Sequence, residues 1–110
     1  MVLFNTTFSV DAGLADAFVE FVVNVYLPAA EVSDMYAPLL TELCGRNEPG
    51  MNGQPTRTFA LQLRAQSHKV IDEFKEDVLP ELYHLIGSQW GMGVAMFESV
   101  LDVVHDPARK

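Results

Sequence analysis

Apolar and polar positions alternate with period two over residues 2–10 (VLFNTTFSV): Val2, Phe4, Phe8 and Val10 fall on one face, Leu3, Asn5, Thr7 and Ser9 on the other. Period two is that of a strand, and the first set is assigned to the core, with Thr6 its one polar member. The pattern then becomes helical. Leu14, Phe18, Phe21, Val22 and Val25 make an apolar stripe, while Asp16, Glu20 and Asn24 make a polar one. Asp11 stands where an N-cap carboxylate would accept from the first turn. Leu27-Pro28 follows. Pro28 has no amide proton to donate, so the helix is expected to kink there or to restart as a short turn over 29–33.

The unit is then written a second time. A less regular strand falls within 38–46 (PLLTELCGR), and 47–56 (NEPGMNGQPT) reads as an exposed link. Residues 57–65 (RTFALQLRA) alternate cleanly, with Phe59, Leu61 and Leu63 facing one way and Thr58, Ala60, Gln62 and Arg64 the other. Ser67 is a candidate cap for a second helix. The expected stripe is Val70, Phe74, Val78, Leu82 and Ile86, or near neighbours, with Gly87 as the stop. SQWGMG leads to a last strand over 94–102 (VAMFESVLD), and 103–110 form a polar tail.

The order β-α-β-β-α-β predicts an α+β, ferredoxin-like sandwich: a four-stranded antiparallel sheet, strands 1 and 3 central, with two helices on one face. One such domain accounts for all 110 residues. The opposite sheet face is expected to carry Leu3, Asn5, Thr7, Ala60, Gln62, Arg64, Met96, Glu98 and Val100. Half of it is apolar. A second copy packed face to face would cover it, giving a dimeric α+β barrel.

NTTF in strand 1, YLP in helix 1, FALQLR in strand 3, VLPEL in helix 2 and the Met96-Phe97-x-Ser99 run resemble a family of short bacterial proteins described as a domain of unknown function. The likeness spans about 1–101. It implies the same ferredoxin-like, dimeric α+β barrel fold, and it transfers no activity and no catalytic residue.

Charge and composition narrow the functional classes. Seven Lys and Arg against fifteen Asp and Glu give a net charge of −8. So acidic a chain is expected to bind neither nucleic acid nor an anionic membrane. The start of the chain lacks the pattern of a secretory signal, and the polar stripe makes 14–30 an amphipathic helix instead of a membrane span. Cys44 is the single cysteine, expected as a buried structural thiol in strand 2, and a cytoplasmic location is expected. Asn5-Thr6-Thr7 matches a glycosylation sequon that such a location leaves unused.

Candidate chemistry is sparse. Asn5, Thr7, Gln62, Arg64, Met96 and Glu98 on the open face form the candidate ligand-binding site or dimer interface. The competing reading pairs Arg64 with Glu98, directly or through the partner subunit, and Asn5 with Gln62, as buried polar groups require whatever the function. His68, His84 and His105 lack metal-pair spacing, and no metal or cofactor is expected. Trp90 is read as an anchor of its loop. The central strands show no aromatics to stack RNA bases, one cysteine excludes a paired-Cys metal chaperone, and no basic Gly-rich cradle suits acyl-phosphate chemistry. Two readings survive. The preferred one is a non-enzymatic homodimer that binds a small molecule or a protein. The alternative is a cofactor-independent enzyme resembling the small dimeric α+β barrel monooxygenases and isomerases. That alternative needs a cavity lined by polar side chains between sheet and helices.

Overall fold

A computed structural model describes residues 1–44, 53 and 55–107. Four strands form one antiparallel sheet: β1 (Val2–Asp11), β2 (Tyr36–Glu42), β3 (Thr56–Ala65) and β4 (Val94–Asp102), in the spatial order β2-β3-β1-β4. The two most regular strands in the sequence, β1 and β3, are therefore the central pair. Val2, Phe4, Thr6, Phe8 and Val10 are all buried, as the alternation predicts, and so are Phe59, Leu61 and Leu63.

The helical layer covers that buried face. A 3₁₀ turn (Ala12–Leu14), α1 (Ala15–Phe21), a π turn (Val22–Tyr26) and α2 (Leu27–Val32) run on as one continuous helix. By length and composition it could cross a membrane, yet here Phe18, Phe21, Val22, Tyr26 and Ala30 are buried in the core. The π turn arises at Leu27-Pro28. Proline cannot return a hydrogen bond to the preceding turn, so that turn widens, and the Leu27 amide bonds back five residues to the Val22 carbonyl. The extra residue rotates the register. Tyr26 points into the core with no exposure, and Val25, expected there, is 40% exposed.

The second Leu-Pro acts similarly. α3 (His68–Asp77) ends at Val78, whose φ is −121°, and α4 (Leu79–Trp90) restarts with Pro80 in its first turn. The buried stripe becomes Ile71, Phe74, Leu79, Leu82 and Ile86, with Val70 and Val78 only partly buried. Gly87 does not end the helix. Gly91 does, at φ +52°, and Gly93 lies where a Cβ would come within 2.6 Å of Leu14 Cδ1.

Three further expectations are corrected. Asp11 and Ser67 occupy N-cap positions, but neither side chain makes a cap hydrogen bond. The second strand begins earlier, at Tyr36, and ends at Glu42. It enters by a tight reversal with Asp34 at φ +65° and carries a register shift between Tyr36 and Leu39 that contains Ala37 at φ +50°. Cys44 consequently lies beyond the strand and is exposed. Most of the 47–56 link and the end of the tail, 108–110, lie outside the described residues. Val103 donates to the Met1 carbonyl at 3.3 Å, which ties the chain beyond β4 to the start of β1.

Candidate functional site

The register decides which side chains share a face, because directly paired residues point the same way. Asn5 pairs with Gln62, Leu3 with Arg64 and Thr7 with Ala60, so Asn5, Thr7, Gln62 and Arg64 stand together on the open face, all half-buried. Met96 and Glu98 do not join them. Met96 pairs with Phe8 and Glu98 with Thr6, which places both on the helix-covered face. The open side of β4 is Ala95, Phe97, Ser99 and Leu101 instead. Val100, paired with Phe4, also leaves the predicted open-face set. Both alternating sets of this edge strand are about equally apolar, so its pattern alone does not say which one faces in.

The anticipated Arg64–Glu98 pair is thereby ruled out, since the sheet lies between the two side chains. Arg64 Nη1 instead meets Met1 Sδ at 3.6 Å. A shallow pocket of about 380 Å³ opens near the β2 end of the open face, lined by Thr7, Thr41, Leu43, Thr58 and Ala60, with Glu42 and Cys44 at its edge. Leu39 and Thr41 extend the face across β2, opposite Gln62 and Ala60.

On the helix side, Glu98 anchors a cluster that the sequence pattern did not suggest. Its carboxylate accepts a short hydrogen bond from the Tyr83 hydroxyl on α4 and pairs with Lys75 Nζ on α3 at 3.1 Å. Beside Glu98 on the sheet is Thr6, and across from Thr6 is Tyr26, placed by the π turn. Thr6 and Tyr26 are buried, and among the described residues neither hydroxyl oxygen makes a hydrogen bond of good geometry. Thr6 is near enough to act on the ionisation of the phenol, outside the geometry of a formed bond. Burial pushes the Tyr26 phenol well above its ordinary value, against a smaller lowering by Thr6, and the Glu98 charge adds to the rise. Tyr83 is raised as well, first by burial and then by its bond to Glu98. Both phenols are therefore neutral donors across the physiological range. The space around them is filled by rings: Phe8 and Phe74 lie 6.4 and 6.1 Å from Tyr26, and Phe18 lies 4.9 Å from Phe8.

A third polar group ties the other end of the sheet to the helix. Arg57 on β3 reaches Glu42 on β2 with two bonds of 2.8 Å and Asp16 on α1 at 3.5 Å, over the Phe59 ring. The hydrogen bonds from Arg57 hold the Glu42 carboxyl below its usual range. An open groove of about 410 Å³ runs past this clamp. Asp16, Glu20 and Glu42 line it together with the apolar Val19, Leu40 and Phe59.

The remaining candidates behave as surface groups. His68 Nε2 lies 2.6 Å from Asp102 Oδ1 with both exposed, and His84 and His105 are exposed too. Among the described residues no group of three His, Cys, Asp or Glu could hold a metal ion. Trp90 closes α4 by packing edge-on to Phe18 and Phe21 at 5.8 and 5.6 Å, which is the anchoring role its position suggested.

Comparison with known proteins agrees with this architecture. The family described as a domain of unknown function, DUF4286, matches residues 1–104. No curated protein matches the sequence. Among solved structures, a dimeric ferredoxin-like protein from an uncultured marine organism superposes with a TM-score of 0.69 at 8% identity, covering 96% of this chain and 97% of that one. A Deinococcus radiodurans protein assigned as an antibiotic biosynthesis monooxygenase gives 0.67 at 15% identity, covering 96% and 95%. An EthD family protein from Bacillus halodurans gives 0.59 at 12%, covering 90% and 97%. At these identities the likeness is one of fold.

Proposed function

The chain belongs to the DUF4286 family, and on that premise we propose that it works as a homodimeric binding module whose two copies meet through their open sheet faces. One observation carries the reading. The chain holds fifteen Asp and Glu, yet from Leu3 to Ser9 on β1, and across Thr58–Arg64, Leu39–Thr41 and Ala95–Leu101, the outward positions include no carboxylate. They include Arg64, several hydroxyls and amides, and apolar side chains left in water: Leu39 at 55%, Phe97 at 71% and Leu101 at 47% exposed. A solvent-facing surface of an acidic protein would be expected to share its charge. A face that spares two such chains their mutual repulsion, and has apolar area to bury, suits a second copy. The fold neighbour from the marine organism, itself a dimer, supports this occupant.

In this arrangement Asn5, Thr7, Gln62 and Arg64 form the polar part of the interface, and the shallow pocket beside Thr7 and Thr58 lies at its margin. A role as a cofactor-independent enzyme is the second reading. It is favoured by the Tyr83–Glu98 pair beside Thr6 and Tyr26, between sheet and helices, and opposed by the aromatic rings that fill the space around them.

Native mass spectrometry of the purified protein tests the reading. The expected result is a species of twice the chain mass. Phe97→Glu or Leu101→Asp should shift it to monomer, and Gln62→Ala with Arg64→Ala should weaken it in dilution series. A monomeric wild type at micromolar concentration would overturn the proposal. A dimer carrying a reproducible extra mass per subunit would turn attention to the interior.

A further inference from the structure

Arg64 stands apart from the other cations of this chain. Among the described residues Arg57, Lys69 and Lys75 each have a carboxylate within 3.8 Å, as fifteen Asp and Glu make easy. Arg64 is half-buried on the open face and has none; its partner is the Met1 thioether at 3.6 Å. A guanidinium carries five N–H donors, and a thioether is a weak acceptor for one of them.

The neighbouring groups on that face are donors too. Next along the strands, Asn5 and Gln62 form a direct pair. The hydrogen bond expected between their side chains is not formed among the described residues, so both amides keep free N–H groups. The pair after that is Thr7 and Ala60, about 7 Å further along the strands. There the face sinks into the pocket of about 380 Å³. The one acid lining that pocket, Glu42, is engaged by Arg57. Leu3 beside Arg64, and Leu39 beside Gln62, add apolar surface.

A guanidinium fork grips a carboxylate with two parallel bonds, and the carboxylate oxygens still have room for amide donors. One positive charge balances one carboxylate, whereas a phosphate dianion would stay half compensated. We infer that Arg64, with Asn5 and Gln62, binds the carboxylate of a small organic acid whose apolar body lies along the open face toward the pocket at Thr7 and Ala60. The enclosure of this site rests on the sheet-face dimer. Two such faces brought together bury each Arg64 where neither copy's outward positions offer a carboxylate. An unpaired charge is costly to bury, so an anion that enters with it favours the closed dimer.

Nuclear magnetic resonance of the nitrogen-15-labelled full chain, titrated with sodium hexanoate at constant ionic strength, tests the site. Hexanol is the neutral control. A net charge of −8 repels anions at long range, so a preference for hexanoate over hexanol reports local recognition. The expected result is a saturable shift of the Asn5 and Gln62 side-chain amides and of Arg64 Nε with hexanoate and not with hexanol. Arg64→Gln should weaken binding at least tenfold, and Arg64→Lys should recover part of it. Sedimentation velocity on the same samples reads the dimer separately, and hexanoate should tighten it several-fold in the wild type and leave Arg64→Gln unchanged. A dimer whose Arg64, Asn5 and Gln62 signals ignore hexanoate would overturn the inference and spare the dimer. So would an equal response to hexanol, or full binding by Arg64→Gln. Saturable, Arg64-dependent binding to a chain that stays monomeric would uphold the carboxylate site and remove the dimer.

Discussion

Tyr83 and Tyr26 show how individual residues set the response of this protein to pH. Both phenols are raised above the ordinary value of about 10, mainly by burial. A group with a raised folded pKa contributes stability that is complete below its unfolded value and is lost as pH rises past it. The fold should therefore weaken from about pH 10 upward, as unfolding comes to release these protons. In alkaline unfolding followed by circular dichroism, Tyr83→Phe should show a flatter decline of stability between about pH 9 and 12 than the wild type. An equal or steeper decline would remove Tyr83 from this account. Glu42 works in the other direction. Its carboxyl is held low by Arg57, so its contribution is present above the ordinary carboxylate range and fades as pH falls through its folded value. None of these environments was legible in the chain. Tyr26, Tyr83 and Glu98 meet only through contacts between positions up to 72 apart.

At the scale of elements, the two Leu-Pro steps account for the shifts at Val25 and Val78, though not for the one at Val70. Each proline withdraws one amide from its helix. The chain answers with a π turn before Pro28 and with a break at Val78 before Pro80. In both places the buried position moves one residue on, from Val25 to Tyr26 and from Val78 to Leu79. A uniform period of 3.6 cannot register that slip. The sequence expectation that the helix would kink or restart at Pro28 located the irregularity but not its form. A substitution pair checks the shifted register. Val25→Asp, on the outer face, should change stability by no more than about 0.5 kcal/mol. Tyr26→Ala should cost about 3–5 kcal/mol, as other large aromatic truncations in cores do. Urea denaturation measures both, and a large loss at Val25 would restore the unshifted helix. β4 is the other element whose reading turned on geometry. Its boundaries, 94–102, were legible from alternation, but its facing was not, because Val94, Met96 and Val100 rival Ala95, Phe97 and Leu101 in apolar character. Pairing with β1 decides between them.

For the whole molecule, charge and shape act together. Two chains of net charge −8 repel at a distance even where their contact faces carry no acid. Screening should thus help them associate. Between about 0.01 M and 0.1 M salt the Debye length falls from about 30 Å to about 10 Å, and the proposed dimer should tighten several-fold. Sedimentation velocity at the two salt concentrations measures this. Dissociation on adding salt would imply that ion pairs, for instance through Arg64, hold the copies together.

What the sequence determined by itself is the local order: four strands, two long helical stretches interrupted at Leu-Pro, and the buried faces of β1 and β3. Those follow from short-range periodicity, and in β1 and β3 most inward residues contrast with their neighbours, Leu3 and Thr6 being the exceptions in β1. What only the tertiary structure decided is the facing of β4, the inward turn of Tyr26, and with them the grouping of Thr6, Tyr26, Tyr83, Lys75 and Glu98. Those depend on which strand pairs with which residue and on how each helix repairs a missing amide, and both are settled by contacts between distant parts of the chain.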